Sequence, residues 1–225
     1  MTSPRFPCAV LFDLDGTLLD SAPDMLATAN RLRENHSLPP MLLEQIRPHV
    51  SKGSRAMLAA AFPHLPTIQT EAMVPQFLET YLQELGKHGV LFADIESMLV
   101  ALEEDGAAWG IVTNKPEYLA REIMPQLGWE TRCAILIGGD TLAEKKPHPL
   151  PLLVAAERMG FEAGQCVYVG DDERDIQAAR AAGMPSIAAL WGYRQDHEDP
   201  AGWGADVLLQ SPADLLNPIN WPPTR

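Results

Sequence analysis

Two aspartates, Asp13 and Asp15, follow directly on the apolar run of residues 9–12. Side chains two apart on an extended segment point the same way, so both carboxylates share one space. Burying them costs free energy unless a cation or hydrogen bonds compensate. Further acidic groups recur at Asp171, Asp172 and Asp175, an ammonium stands at Lys145 and at Lys146, and a hydroxyl and an amide stand at Thr113 and Asn114. Crowded carboxylates repel one another and pick up protons. A hard divalent cation removes that conflict, and an all-oxygen ligand set suits magnesium (Mg2+), which keeps several waters and takes few protein ligands. No thiolate or histidine cluster favours zinc. His36, His49, His64, His88, His148 and His197 have no ligand spacing and read as surface residues.

An ammonium and a hydroxyl converging on such an ion suit the oxygens of a phosphoryl group. A carboxylate that attacks phosphorus splits hydrolysis into two easier steps. A second carboxyl then protonates the leaving oxygen and later deprotonates the attacking water. Asp13 and Asp15 suit those two roles, and Gly16 lets the chain turn close to the phosphoryl group.

The elements that must position these groups follow from periodicity. From Ser21 to about Gly86 apolar residues recur at helical spacing, which predicts a bundle of roughly four short helices. Asp20 and Asp24 are expected to cap the first of them. Beyond Val90 strands and helices alternate: "AAWGIVTN", "AILIGG", "CVYVGDD", "PSIAAL" and "ADVLLQ" read as strands with helices between them. Alternation of this kind predicts a parallel sheet covered on both faces. The expected fold is α/β, a Rossmann-like doubly wound parallel sheet core with an inserted helical-bundle cap. The core comprises residues 1–17 and 88–225 and the cap residues 18–87. Ligands of such sheets sit beyond the carboxyl ends of the strands, where every candidate group above lies.

Composition narrows the partners. The 225 residues carry a formal net charge of -13, which disfavours nucleic acid and anionic membrane surfaces. No run is long and apolar enough to span a bilayer, and the first ten residues lack the apolar stretch of a secretory signal. Cys8, Cys133 and Cys166 are odd in number and far apart, as expected of free thiols in a reducing cytoplasm.

The stretches "FDLDGTLLD", "VTNKP", "KKPHP" and "VGDDERD" resemble, in order, the four motifs of the haloacid dehalogenase superfamily in its phosphatase branch. The resemblance implies that Asp13 is the nucleophile and Asp15 the acid/base. It also implies that Asp13, the Asp15 carbonyl and Asp171 bind magnesium, and that Thr113, Asn114 and Lys146 hold the phosphoryl group. Lys146 rather than Lys145 matches the motif, being directly before Pro147. Many relatives have serine where Asp172 stands. Asp175 is expected to orient Lys146 or a metal-bound water, and Asp172 to do either or neither. The helical insert resembles the superfamily's first-type cap.

Within the superfamily the chain is similar to phosphoglycolate phosphatases, and its "WGIVTNKP" and "WGYRQDHEDPAGWGADV" stretches to N-acetylmuramate 6-phosphate phosphatases. The implied partner is a small phosphorylated metabolite carrying a carboxylate, with the chain a monomer or homodimer. Arg55, in "VSKGSRAM", is either an exposed helix-start residue or a cap cation that meets the substrate carboxylate. Trp191 and Tyr193 either line the entrance or pack beneath the cap. Two rivals share the motifs: a sugar-phosphate mutase, and a non-enzymatic module that stores phosphate on Asp13 as a signal. An insert of about seventy residues weighs against the signalling module, and the acidic Asp15 weighs against a dehalogenase.

Overall fold

The computed structural model describes residues 5–224. The outermost positions of the expected core, residues 1–4 and 225, lie outside the described residues. The first strand, β1 (Ala9–Phe12), is followed by a tight turn and a two-residue strand, β2 (Leu19–Asp20). Five helices come next: α1 (Ala22–Asn35), α2 (Leu43–Ile46), α3 (Ser54–Ala61), α4 (Thr67–Ala72) and α5 (Val74–Glu84). The sequence predicts one helix across residues 71–86. Instead α4 ends at Ala72 and α5 restarts at Val74, with Pro75 in its first turn. A proline there forfeits no intrahelical hydrogen bond, whereas inside one long helix it would break the ladder.

The return strand β3 (Val90–Leu91) pairs antiparallel with β2, so the helical segment leaves and re-enters at one place. A two-residue ladder carries no periodicity for sequence reading to detect. Then follow α6 (Ile95–Glu104), β4 (Ala108–Val112), α7 (Glu117–Leu127), β5 (Leu136–Ile137), α8 (Leu150–Met159), β6 (Cys166–Gly170), α9 (Glu173–Ala182), β7 (Ser186–Ala189) and β8 (Val207–Leu209).

The main sheet has the order β5-β4-β1-β6-β7-β8 with all neighbours parallel. Taking only its own strands, this is the doubly wound order in which the chain reverses direction beside the first strand. The reversal lies between β1 and β6, whose carboxyl ends carry Asp13 and Asp171. All four residues of β1 are buried. Val10 and Phe12 join the core beneath α6 and α7, and Ala9 and Leu11 the core beneath α8 and α9. That two-sided burial explains the continuous apolar run and leaves only its end for polar groups.

Asp24 does not cap α1, and neither does Asp20. Ser21 holds the N-cap position without a side-chain hydrogen bond. Asp24 is fully buried and accepts from the backbone N–H groups of Gly86 (2.8 Å), His88 (2.7 Å) and Gly89 (3.1 Å). It thereby satisfies the turn that brings the chain back to β3, whose donors have no ladder partner of their own. Asp20 accepts from Tyr193 Oη at 2.7 Å and from Arg47 at 2.9 Å. Tyr193 is buried and Trp191 donates its indole N–H to the Thr17 carbonyl at 3.0 Å, so both pack beside the β2–β3 crossing.

Candidate active site

Asp13 is fixed by its backbone, whose N–H donates to the Val169 carbonyl at 2.9 Å. The turn after it is closed by the Leu18 and Leu19 N–H groups on the Leu14 carbonyl, each at 3.0 Å. Gly16 occupies the left-handed region with φ 88°, and a Cβ there would lie 2.2 Å from an Asp171 carboxylate oxygen. Glycine is required on both counts.

Asp13, Asp171 and Asp175 each offer one carboxylate oxygen, and the three oxygens lie within 4.8 Å of one another. Asp171 is fully buried and accepts from Thr17 Oγ1 (3.0 Å), Ser51 Oγ (2.8 Å) and the Tyr193 N–H (2.9 Å). Burial, reinforced by Asp13 and Asp175, nevertheless pushes its pKa well above the ordinary carboxylate value. Burial also raises Asp175, to about 7, against the pull of Lys146. Charges that crowd this closely in a buried space fit a divalent cation held among oxygen ligands.

Lys146 is 2% exposed and bridges two of these carboxylates, at 3.1 Å from Asp13 and 2.6 Å from Asp175. It also donates to Tyr168 Oη at 2.8 Å, which donates in turn to the Val112 carbonyl at 2.7 Å. Burial opposes its charge, yet the two carboxylates raise its pKa above the usual lysine value. Lys145 is exposed, so the geometry separates the two lysines.

Thr113 is buried at the end of β4, where its hydroxyl accepts from the Lys115 N–H at 3.2 Å. Asn114 donates to the Lys146 carbonyl at 2.9 Å, and its own side-chain oxygen is buried without a partner. Asp15 stands apart from the three-carboxylate cluster. Both its oxygens accept from Lys115 at 3.1 Å.

Asp172 and Asp175 form the start of α9: Asp172 accepts from the Arg174 N–H at 3.0 Å, and Asp175 from the Asp172 N–H at 3.0 Å. Burial alone would raise Asp172, but Arg174 and Lys52 hold it down to about 2. Its charge is spent on those two cations, at 2.8 Å and 2.7 Å.

The helical segment covers this edge and encloses a cavity of about 380 Å³. Its lining combines the polar Asp13, Asp15, Thr113 and Lys115 from the sheet edge with the apolar Met57, Val74, Phe77 and Leu78 from the helical segment. Arg55 lines the rim and is 65% exposed, with its guanidinium on Glu71 at 2.8 Å.

A family model described as haloacid dehalogenase-like hydrolase matches residues 10–189. The chain belongs to that family. A phosphoglycolate phosphatase of Xanthomonas campestris pv. campestris (strain 8004) is 66% identical over 97% of this chain and 99% of its own length. An N-acetylmuramic acid 6-phosphate phosphatase of Pseudomonas aeruginosa is 40% identical, over 94% of each chain. The crystal structure of a predicted phosphoglycolate phosphatase from Haemophilus somnus 129PT superimposes with a TM-score of 0.83 at 27% identity, covering 96% of this chain and 98% of that one. This haloacid dehalogenase-like hydrolase is an enzyme of the phosphatase type.

Several residues of the hydrolase site escaped sequence reading. Lys115 lies inside the "VTNKP" stretch, two positions after Thr113, and that spacing was the available signal. Ser51 and Lys52 lie in the turn just before α3, which carries Arg55, but nothing local shows that Ser51 reaches Asp171 and Lys52 reaches Asp172 and Glu198. Tyr81 is one apolar-face residue of α5 by pattern, yet its hydroxyl accepts from Lys115 at 2.6 Å.

Proposed function

We propose that this enzyme is a magnesium-dependent phosphomonoester hydrolase that works through an aspartyl-phosphate on Asp13. The observation that carries the reading is the meeting of Asp13, Asp171 and Asp175 at the reversal point of the sheet, with Lys146 bridging Asp13 and Asp175. Magnesium would be held by Asp13, the Asp15 carbonyl and Asp171, and when bound it neutralises phosphoryl charge. Lys146, Thr113 and Asn114 orient the phosphoryl oxygens, and Asp175 fixes the Lys146 ammonium. An Asp13 carboxylate oxygen attacks phosphorus while the bond to the leaving oxygen breaks and Asp15 gives that oxygen a proton. Asp15 then takes a proton from water as the water oxygen attacks phosphorus, and the bond to Asp13 breaks. Residues 18–87 act as a cap over the core of residues 1–17 and 88–225, excluding stray water from the intermediate.

The substrate is a small phosphate ester bearing a carboxylate, and phosphoglycolate and N-acetylmuramate 6-phosphate are the two candidates that the relatives' names supply. The cavity favours the larger one. Its volume of about 380 Å³ falls in the range of roughly 300–1,000 Å³ typical of drug-sized ligands. The apolar wall of Met57, Val74, Phe77 and Leu78 would be left empty by a two-carbon acid but matches the N-acetyl and lactyl methyl groups of the sugar.

The test is phosphate release from both esters with magnesium and after chelation, in the parent and in Asp13→Asn. Turnover that needs both the metal and Asp13 supports the reading. Turnover indifferent to either, or transfer of phosphate within a sugar without release, overturns it.

A further inference from the structure

Two buried lysines serve this site, and each binds carboxylate and one tyrosine hydroxyl. Lys146 touches Asp13, Asp175 and Tyr168. Lys115 touches both oxygens of Asp15, at 3.1 Å each, and Tyr81 Oη at 2.6 Å. The difference lies in where the tyrosine comes from. Tyr168 stands on β6, inside the sheet, whereas Tyr81 stands on α5 of the helical segment.

We propose that Lys115 and Tyr81 are a positioning pair that aligns Asp15 for proton transfer, so that the acid/base is complete only while α5 lies against the sheet edge. This rests on the assignment of Asp15 as the acid/base given above. The Lys115 side chain is 2% exposed, and its three contacts match the three donors of an ammonium. Its backbone is pinned as well: the N–H donates to Thr113 Oγ1 at 3.2 Å and the carbonyl accepts from the Gly139 N–H at 2.8 Å. The side chain beyond that anchor is a flexible four-carbon stem, which needs a further partner to hold one rotamer. The Tyr81 hydroxyl supplies it, on a ring that is 1% exposed and whose centroid lies 4.3 Å from the Lys115 nitrogen. Held at both oxygens, the Asp15 carboxyl cannot swing away from the leaving oxygen. Removing only the hydroxyl leaves one Lys115 donor unpaired in a buried space and frees the stem.

The decisive experiment compares leaving groups. Phosphoglycolate and N-acetylmuramate 6-phosphate are alkyl esters whose leaving oxygen must be protonated; the phenolate of p-nitrophenyl phosphate leaves without a proton. In Tyr81→Phe the ratio of alkyl-ester to aryl-ester kcat/KM falls by about fivefold or more. The constant kcat/KM reads the steps up to phosphorylation of Asp13, in which only the alkyl leaving oxygen needs the Asp15 proton, and leaves out the water attack that both esters share. A smaller fall in that ratio, including equal losses on both ester types, overturns the proposal, since a general structural defect would slow them alike. Lys115→Gln is measured beside it and carries the same expectation if Tyr81→Phe does not fold. Asp15→Asn keeps the two failures distinct. If Asp15→Asn leaves the ratio unchanged, the acid/base assignment itself is wrong. If it lowers the ratio while Tyr81→Phe and Lys115→Gln do not, the positioning pair alone is refuted.

Discussion

At the sheet edge, Asp13, Asp15, Lys115 and Lys146 are all buried, and each is ion-paired to another member of the same layer. On the helical side, Met57, Val74, Phe77 and Leu78 line the cavity, and polar groups reach across at several points: Ser51 to Asp171, Lys52 to Asp172 and Glu198, the Ser51 carbonyl to Arg174, and Tyr81 to Lys115. The sheet edge concentrates charge because parallel strands end together and present their following residues to one crevice. The helices supply shape and a small number of long-range contacts. Charge and apolar shape are thus concentrated in separate parts of the chain, joined by polar bridges such as these.

Substitutions that act on one side only put that division at risk. The largest effect is expected from Asp13→Asn, which removes the proposed nucleophile while keeping its size. Turnover falls by about 10³-fold or more with the far-ultraviolet circular dichroism unchanged, and a variant as active as the parent would break the assignment of chemistry to the sheet edge. Lys146→Met strips Asp13 and Asp175 of their shared cation. Breaking a buried pair in this way costs about 3 kcal/mol, read by urea unfolding, and an unchanged midpoint would mean the lysine is dispensable to the edge.

On the helical side, Val74→Trp narrows the apolar wall without touching a charge. Its kcat/KM for N-acetylmuramate 6-phosphate falls by about tenfold relative to that for phosphoglycolate, and parallel losses would contradict the division. Ser51→Ala deletes one bridge and costs about 1 kcal/mol of stability, read by urea unfolding, and an unchanged midpoint would show that bridge to be dispensable. Thiol labelling gives the smallest effect. Burial raises Cys133 and Cys166 to about 11 each, so both stay protonated at pH 8, whereas Cys8 is exposed. Iodoacetamide should modify Cys8 first, and faster labelling of Cys133, next to β5, would show the core there to be open.

The two sides were unequally legible in the sequence. Asp13, Thr113 and Asp171 each follow an apolar run that can only be a buried strand, so their convergence could be read from the alternation of strands and helices. Lys146 was placed by its neighbours in the motif. The helical side was not readable in the same way, because its contacts join residues far apart in the chain: Tyr81 with Lys115, Ser51 with Asp171, Asp24 with Gly86 and Gly89. Helical periodicity marks Tyr81 as inward-facing but says nothing of which sheet residue its hydroxyl meets. Asp24 stands at a helix start, a position that predicts a cap. Its full burial and three backbone donors are tertiary facts that no local pattern contains.

Strand β1, which leads into Asp13, is made early and completed late. Its Ala9 pairs with Ala108 on one side and Cys166 on the other. During synthesis at about 5–20 residues per second, a newly made chain therefore spends seconds with this apolar segment unmatched. The meeting of Asp13 with Asp171 cannot form until the stretch from Cys166 onward has emerged, and until then the apolar segment is exposed to aggregation.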